Sequence, residues 1–239
     1  MILFFLAAAA FTATMLGGLF ALRLRDRLHL ILGFSAGAVI GVAFFDLLPE
    51  ALELGGQTHE LSTVVAVVAL GFLIYLTLDR LFFMHGHSDE EIRHPQRGAA
   101  GASTLSFHSF LDGVGIGFAF QVSTTVGLVV AAAVLAHDFS DGINTINMIT
   151  KNGGTRRKAM QWLFVDALAP VVGVAVTLLI HVQETTLGLL LALFAGFFLY
   201  IGASDLIPES HHSHPTFLTT VMTVLGALVL YLVIRAAGI

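Results

Sequence analysis

Two short stretches carry the residues best suited to do chemistry. They are Phe107-His108-Ser109-Phe110-Leu111-Asp112-Gly113 and Ala136-His137-Asp138-Phe139-Ser140-Asp141-Gly142. Both read His-x-x-x-Asp-Gly. On a helix a His and an Asp four residues apart lie on one face, about one turn from each other. Their surroundings are apolar: Gly115-Ile116-Gly117-Phe118-Ala119-Phe120 follows the first, and Leu128 to Leu135 precedes the second. An ionisable side chain in lipid costs roughly 2.5–3.5 kcal/mol on insertion scales, so it faces a partner or a wet cavity. Two His and three Asp (Asp112, Asp138 and Asp141) on adjacent segments therefore point to a metal site. Imidazole with carboxylate suits zinc, iron(II) or manganese, and the chain has no cysteine to narrow that choice. A proton relay uses the same residue types and stays open at this point.

The elements that must position these residues are transmembrane. The 239 residues are 56% hydrophobic and 11% charged, against about 25% charged in soluble domains. An all-α integral membrane protein follows. There is no basic patch or motif for nucleic acid. Met1 to Leu22 is apolar with its arginines after it, the reverse of a signal peptide, and so reads as a first spanning helix. Eight spans of the length a bilayer requires emerge at about 1–22, 29–54, 61–84, 100–120, 124–150, 158–181, 185–210 and 216–236. No connection is long enough for a separate domain, so residues 1–239 are expected to form one transmembrane unit.

Charge orients the spans. Arg23, Arg25 and Arg27 fall in loop 1–2, and Arg80, Arg93 and Arg97 in or beside loop 3–4. Lys151, Arg156, Arg157 and Lys158 fall in loop 5–6, which leaves Arg235 alone on the other side. The positive-inside rule then puts the odd-numbered loops in the cytoplasm and both termini outside, as in a bacterial inner membrane.

In that orientation a second motif pair is mirrored. Span 2 carries Asp46-Leu47-Leu48-Pro49-Glu50 and span 7 carries Asp205-Leu206-Ile207-Pro208-Glu209. Span 2 runs outward and span 7 inward, so Asp46 and Glu50 are expected at the outer mouth and Asp205 and Glu209 at the inner one. With the His-x-x-x-Asp pairs in the middle of spans 4 and 5, this is the pattern of an inverted 3+2+3 repeat with its site near the midplane. For either Pro-Glu copy alone, ordinary helix-end chemistry would be enough. Asp166 on span 6 is a further buried carboxylate that needs a partner. Asn144, Thr145 and Met148 continue the polar stripe of span 5, Asn144 either lining the pathway or bonding between helices. Gly113, Gly115 and Gly117 favour close helix packing. His85, His87 and His94 sit in loop 3–4, and His211, His212 and His214 follow Glu209, where an exit carboxylate would hand over an ion.

Taken together, these motifs resemble the ZIP (Zrt-, Irt-like protein) family of divalent-metal transporters, and the resemblance covers essentially the whole chain. In that family span 4 typically reads His-Asn-x-Pro-Glu-Gly. Here His108 and Asp112 take the places of its His and Glu, with Ser109 where Asn is usual. His137, Asp138 and Asp141 match the span 5 ligands and Asp166 the acidic ligand of span 6. The resemblance implies a two-metal site bridged by Asp112 and Asp141, and carriage of the metal into the cytoplasm. Zinc is the expected substrate, with Fe²⁺, Mn²⁺ or Cd²⁺ as further candidates. The other partner is the bilayer, and a homodimer is left open. The chain departs from the family pattern at Leu111 and Ser140, which replace the usual prolines, and in the shorter Asp at 112 and 141.

Two other functions use part of this pattern. An intramembrane zinc-dependent hydrolase explains the central cluster but not the mirrored Asp-Leu-x-Pro-Glu pairs. A metal-free proton conductor differs from both in binding no metal. Sidedness is directly testable. A cysteine placed at Asn152 should be shielded from impermeant thiol reagents in intact cells while one at Gly238 is labelled; the opposite pattern inverts entrance and exit.

Overall fold

Lipid offers the backbone no hydrogen-bond partner, so each segment satisfies its own amides by coiling into a helix. In the computed structural model the described residues are 2–22, 28–84, 95–212 and 217–237, and every predicted span falls on a helix. Arg23, Arg25, Arg27, His85, His87, Arg93, His94, His214 and Gly238 lie outside the described residues. The helices are α1 (Ile2–Ala21), α2 (28–56), α3 (Leu61–Met84), α4 (Pro95–Val122), α5 (Thr124–Lys151), α6 (Arg156–Thr177), α7 (184–212) and α8 (Phe217–Ala237). Seven are long and apolar enough to cross a membrane. The eighth is α4, whose 28 residues include Ser103, Thr104, Ser106, His108, Ser109 and Asp112. The chain is an all-helical integral membrane protein.

Helix ends obey local chemistry. Only Ser123 separates α4 from α5, and its hydroxyl caps α5 by accepting from the Val126 amide at 3.1 Å. His108 lies fifteen residues before that turn and His137 fourteen after it, so the hairpin sets both rings at one depth, ~22 Å along their helices. At its far end α5 stops in a Schellman motif. Gly153 takes φ 80°, its amide bonds Thr150 O at 3.2 Å, and the Gly154 amide bonds Ile149 O at 2.9 Å. The sixth helix ends at Thr177, four residues before the span predicted for it. Gln121 of α4 explains this. Its amide donates to Thr177 O (3.1 Å) and Ile180 O (2.7 Å) and accepts from the Val182 N–H (3.1 Å), replacing the helical bonds the segment gives up.

The Asp-Leu-x-Pro-Glu segments share a feature that the sequence reading had not foreseen. In α2, residues Ala43–Leu47 form a π-helical turn, and in α7 residues Ile201–Leu206 do the same. In both, the residue just before the proline reaches back five positions: Leu48 N–H to Ala43 O, and Ile207 N–H to Gly202 O. The wider turn lets each helix continue through a residue that has no amide hydrogen to give.

Four crossings build the bundle: α4 against α6, α1 against α5, α2 against α8 and α3 against α7. Each crossing has a glycine on both helices. A Cβ on Gly113 would collide with Pro170 O, and one on Gly173 with Phe110 O. The same holds for Gly142 with Thr14 O and Gly17 with Phe139 O, for Gly37 and Gly226, and for Gly71 and Gly196. Association in lipid relies on close packing rather than on expelling water, which is why small residues sit there. The glycine that ends each His-x-x-x-Asp-Gly motif is thus where a neighbouring backbone lies against the site. Two groups result, α1 with α4–α6 and α2 and α3 with α7 and α8. They meet along a thinner seam in which α2 packs on α5.

Gly113→Ala and Gly142→Ala should each destabilise the purified protein by about 1–3 kcal/mol, because backbone must shift. Gly115→Ala, whose new methyl would meet only the Phe194 ring at 3.4 Å, should be near neutral. Thermal unfolding in detergent checks this, and equal loss in all three would contradict the crossing assignment.

Candidate metal centre

The α4–α5 hairpin brings four side chains to one point. His108, Asp112, His137 and Asp141 each offer a ligand atom, and these four atoms lie within 4.8 Å of one another. His108 Nε2 is 3.2 Å from Asp112 Oδ2 and 3.5 Å from Asp141 Oδ2, while His137 Nε2 is 3.3 Å and 3.7 Å from the same two atoms. Zinc with bonds of about 2.0–2.1 Å has tetrahedral edges of roughly 3.3–3.4 Å. The four His–Asp edges, 3.2–3.7 Å, run from that length to slightly beyond it. None of the four residues exceeds 4% exposure, so bulk water does not screen them.

Hydrogen bonding outside the cluster turns the rings inward. His137 Nδ1 lies 2.9 Å from Ala133 O, a carbonyl that can only accept. The ring proton is therefore on Nδ1, and Nε2 presents a lone pair to Asp112 Oδ2. Two acceptors facing each other at 3.3 Å require a proton on one of them or a metal ion between them. Two carboxylates and two neutral imidazoles carry two negative charges, which a divalent cation cancels. His108 Nδ1 is held differently, by Tyr75 Oη of α3 at 2.8 Å.

The other two predicted ligands are Asp138 and Asp166. Asp138 is fully buried and neither of its oxygens has a hydrogen-bond partner, but it is not one of the four. On α5 Asp138 is one residue from His137 and three from Asp141, so it stands on the flank of the face those two share. Asp166 is also fully buried, and it accepts from Ser109 Oγ (2.8 Å) and Thr145 Oγ1 (2.7 Å). Ser109 thus serves Asp166, a role its spacing alone did not reveal. Asn144 is half-buried on α5.

Of the mouth residues, Glu50 is half-buried, one turn beyond the π-turn of α2. Asp46 lies within that turn, fully buried and with both oxygens unpartnered. Asp205, Glu209, His211 and His212 lie on α7, and their side chains are outside the described residues. Sequence reasoning missed three contributors. Tyr75 bonds His108. Ser35 of α2 donates to Ala136 O at 2.7 Å and lies 3.2 Å from Ser140 Oγ, tying α2 to the site helix. Asp79 accepts from Tyr200 Oη at 2.7 Å. The available signal was a hydroxyl or carboxylate within an apolar span, where each needs a partner.

Known proteins are similar to this chain in sequence. A family profile described as ZIP Zinc transporter matches residues 85–234. Zinc transporter YKE4 of Saccharomyces cerevisiae is 24% identical over 80% of this chain and 65% of its own length. Zinc transporter ZupT of Corynebacterium aurimucosum is 26% identical over 84% of each chain. Human Zinc transporter ZIP6 is 30% identical over 54% of this chain but only 18% of its own. The chain thus spans under two thirds of the yeast relative and about a fifth of the human one. With more than half of its length matched by the profile, and the matched region holding the His-x-x-x-Asp hairpin, the chain belongs to the ZIP zinc transporter family.

Proposed function

We propose that this protein carries divalent cations, zinc foremost, through the membrane into the cytoplasm by way of the His108, Asp112, His137 and Asp141 set. The observation that carries the reading is the buried, closely converging, doubly negative cluster of two His and two Asp, which a divalent ion neutralises. Its ligands replace the ion's water shell midway through the bilayer. Kinship with zinc transporters of yeast, bacteria and man supports zinc as the preferred ion. Fe²⁺, Mn²⁺ and Cd²⁺ fit the same donors less selectively.

The fold supports a carrier built from inverted repeats. Exchanging α1–α3 with α6–α8, and α4 with α5, turns each crossing pair into another crossing pair: α4–α6 into α5–α1, and α2–α8 into α7–α3. Gly37 lies nine residues before Asp46, and Gly196 nine before Asp205, so the crossing glycine and the π-turn keep one register in both halves. Asp46 and Glu50 then gather ions from outside. Asp205, Glu209, His211 and His212 receive them inside, and Asp138 and Asp166 adjoin the central set. Ten of eleven basic residues on one side support a cytoplasmic placing of that face, toward which the family resemblance carries metal. A catalytic zinc keeps three protein ligands and an open position for water. Four converging ligands speak against the hydrolase.

Purified protein should bind about one Zn²⁺ per chain and, in proteoliposomes, take up Zn²⁺ ahead of the other three ions. Asp112→Ala should lose both activities, by at least a hundredfold in uptake. Stoichiometric binding with no uptake of any of the four ions would reject the transport reading.

The two mouths make a separate prediction. Glu209→Gln should keep equilibrium binding but slow uptake severalfold, since release loses its receiving carboxylate. Glu50→Gln should slow uptake mainly at low metal concentration. Normal transport by both variants, beside a dead Asp112→Ala, would reduce the mirrored motifs to helix-end architecture.

A further inference from the structure

The two ligand histidines are supported from different places. His137 is held by Ala133 O, a carbonyl of its own helix, so its orientation travels with α5. His108 is held by Tyr75, which belongs to α3 in the other helix group. The phenol is itself fixed. Tyr75 is 7% exposed, its ring meets the His108 ring edge-on at 5.9 Å, and it packs on Phe197 (5.6 Å) and Tyr200 (5.3 Å) of α7. Tyr200 in turn donates to Asp79, one turn along α3 from Tyr75. Behind this contact, between α3 and α4, lies a cavity of about 20 Å³ bordered by Tyr75, Asp79, Thr104 and His108. It is room for one water, so nothing bulky wedges the two helices at this level.

We propose that Tyr75 is a positioning residue that makes the site's affinity depend on how α3 and α7 are seated against α4. This rests on the transport reading. A cation on His108 Nε2 leaves the ring proton on Nδ1, where it donates to the phenol oxygen; that bond fixes both the tautomer and the direction of the lone pair. When the seam between the groups opens, the phenol withdraws with α3 and the imidazole loses its support. His137, bonded within its own helix, keeps its support. The closed arrangement thus grips the ion with two oriented imidazoles and the opened one with one, so affinity falls where release must occur.

The test uses Tyr75→Phe, which retains the ring packing and deletes the oxygen, in the purified full chain. Zn²⁺ affinity should fall about tenfold or more, in the range known for lost outer-shell partners of metal-bound histidines. The absorption bands of bound Co²⁺ should change. In proteoliposomes the KM for Zn²⁺ should rise by a similar factor with no fall in maximal rate. If Tyr75 acts through His108, adding Tyr75→Phe to His108→Ala should weaken binding no further. Wild-type affinity and KM in Tyr75→Phe would overturn the proposal, as would a loss confined to maximal rate, the mark of a merely structural defect. Tyr200→Phe should move affinity in the same direction but less, which covers the case where Tyr75→Phe does not accumulate; no change there would then overturn it. A wild type that binds metal but moves none defeats the transport reading alone. One that binds none defeats both.

Discussion

Two carboxylates and two imidazoles packed within 4.8 Å in a bilayer interior are stable only with positive charge among them. That requirement governs much of the surrounding structure. It explains why the site is assembled on a hairpin with a one-residue turn, which leaves little freedom in the relative depth of its two strands of ligands. It also explains why each histidine is anchored through Nδ1. An imidazole free to turn would offer its N–H to a neighbouring aspartate and close the site on itself, without an ion.

Holding four side chains so precisely in lipid demands backbone contact. The motif glycines supply it. Gly113 lies against α6 at Pro170, and Gly142 lies against α1 at Thr14, so the hairpin is clasped from both sides at the level of its ligands. Ser109 and Thr145 add a polar clasp by sharing the carboxylate of Asp166. The hairpin helices and their two neighbours are thus bound by contacts that side-chain rotation alone does not relieve. The seam toward α2, α3 and α7 is joined differently, through the hydroxyls of Ser35 and Tyr75. Hydroxyl bonds exchange partners far more readily than crossing backbones separate, and that difference tells where the molecule can give.

The π-turns belong to the same economy of backbone. A proline within a lipid-embedded helix strands a carbonyl, and a five-residue reach from the preceding amide re-closes the ladder. Each turn also carries an aspartate, Asp46 in one and Asp205 in the other. Asp46 is fully buried with neither oxygen bonded, a polar group that its own helix does not satisfy.

The sequence by itself determined whatever depends on local spacing. Apolar length set seven of the eight helices, Asn152-Gly153-Gly154 set the end of α5, and the intervals from Ser123 set His108 and His137 at one depth. The i,i+4 interval alone put each His with its Asp. Tertiary structure decided what depends on how each helix is rotated and what lies beside it. Spacing could not show that Asp112 and Asp141 both meet both histidines while Asp138 stands on the flank of that face. It could not show that Ser109 and Thr145 engage Asp166, or that Tyr75, thirty-three positions before His108, supports it. A helix presents side chains all round, and only the packing of its neighbours selects which of them meet.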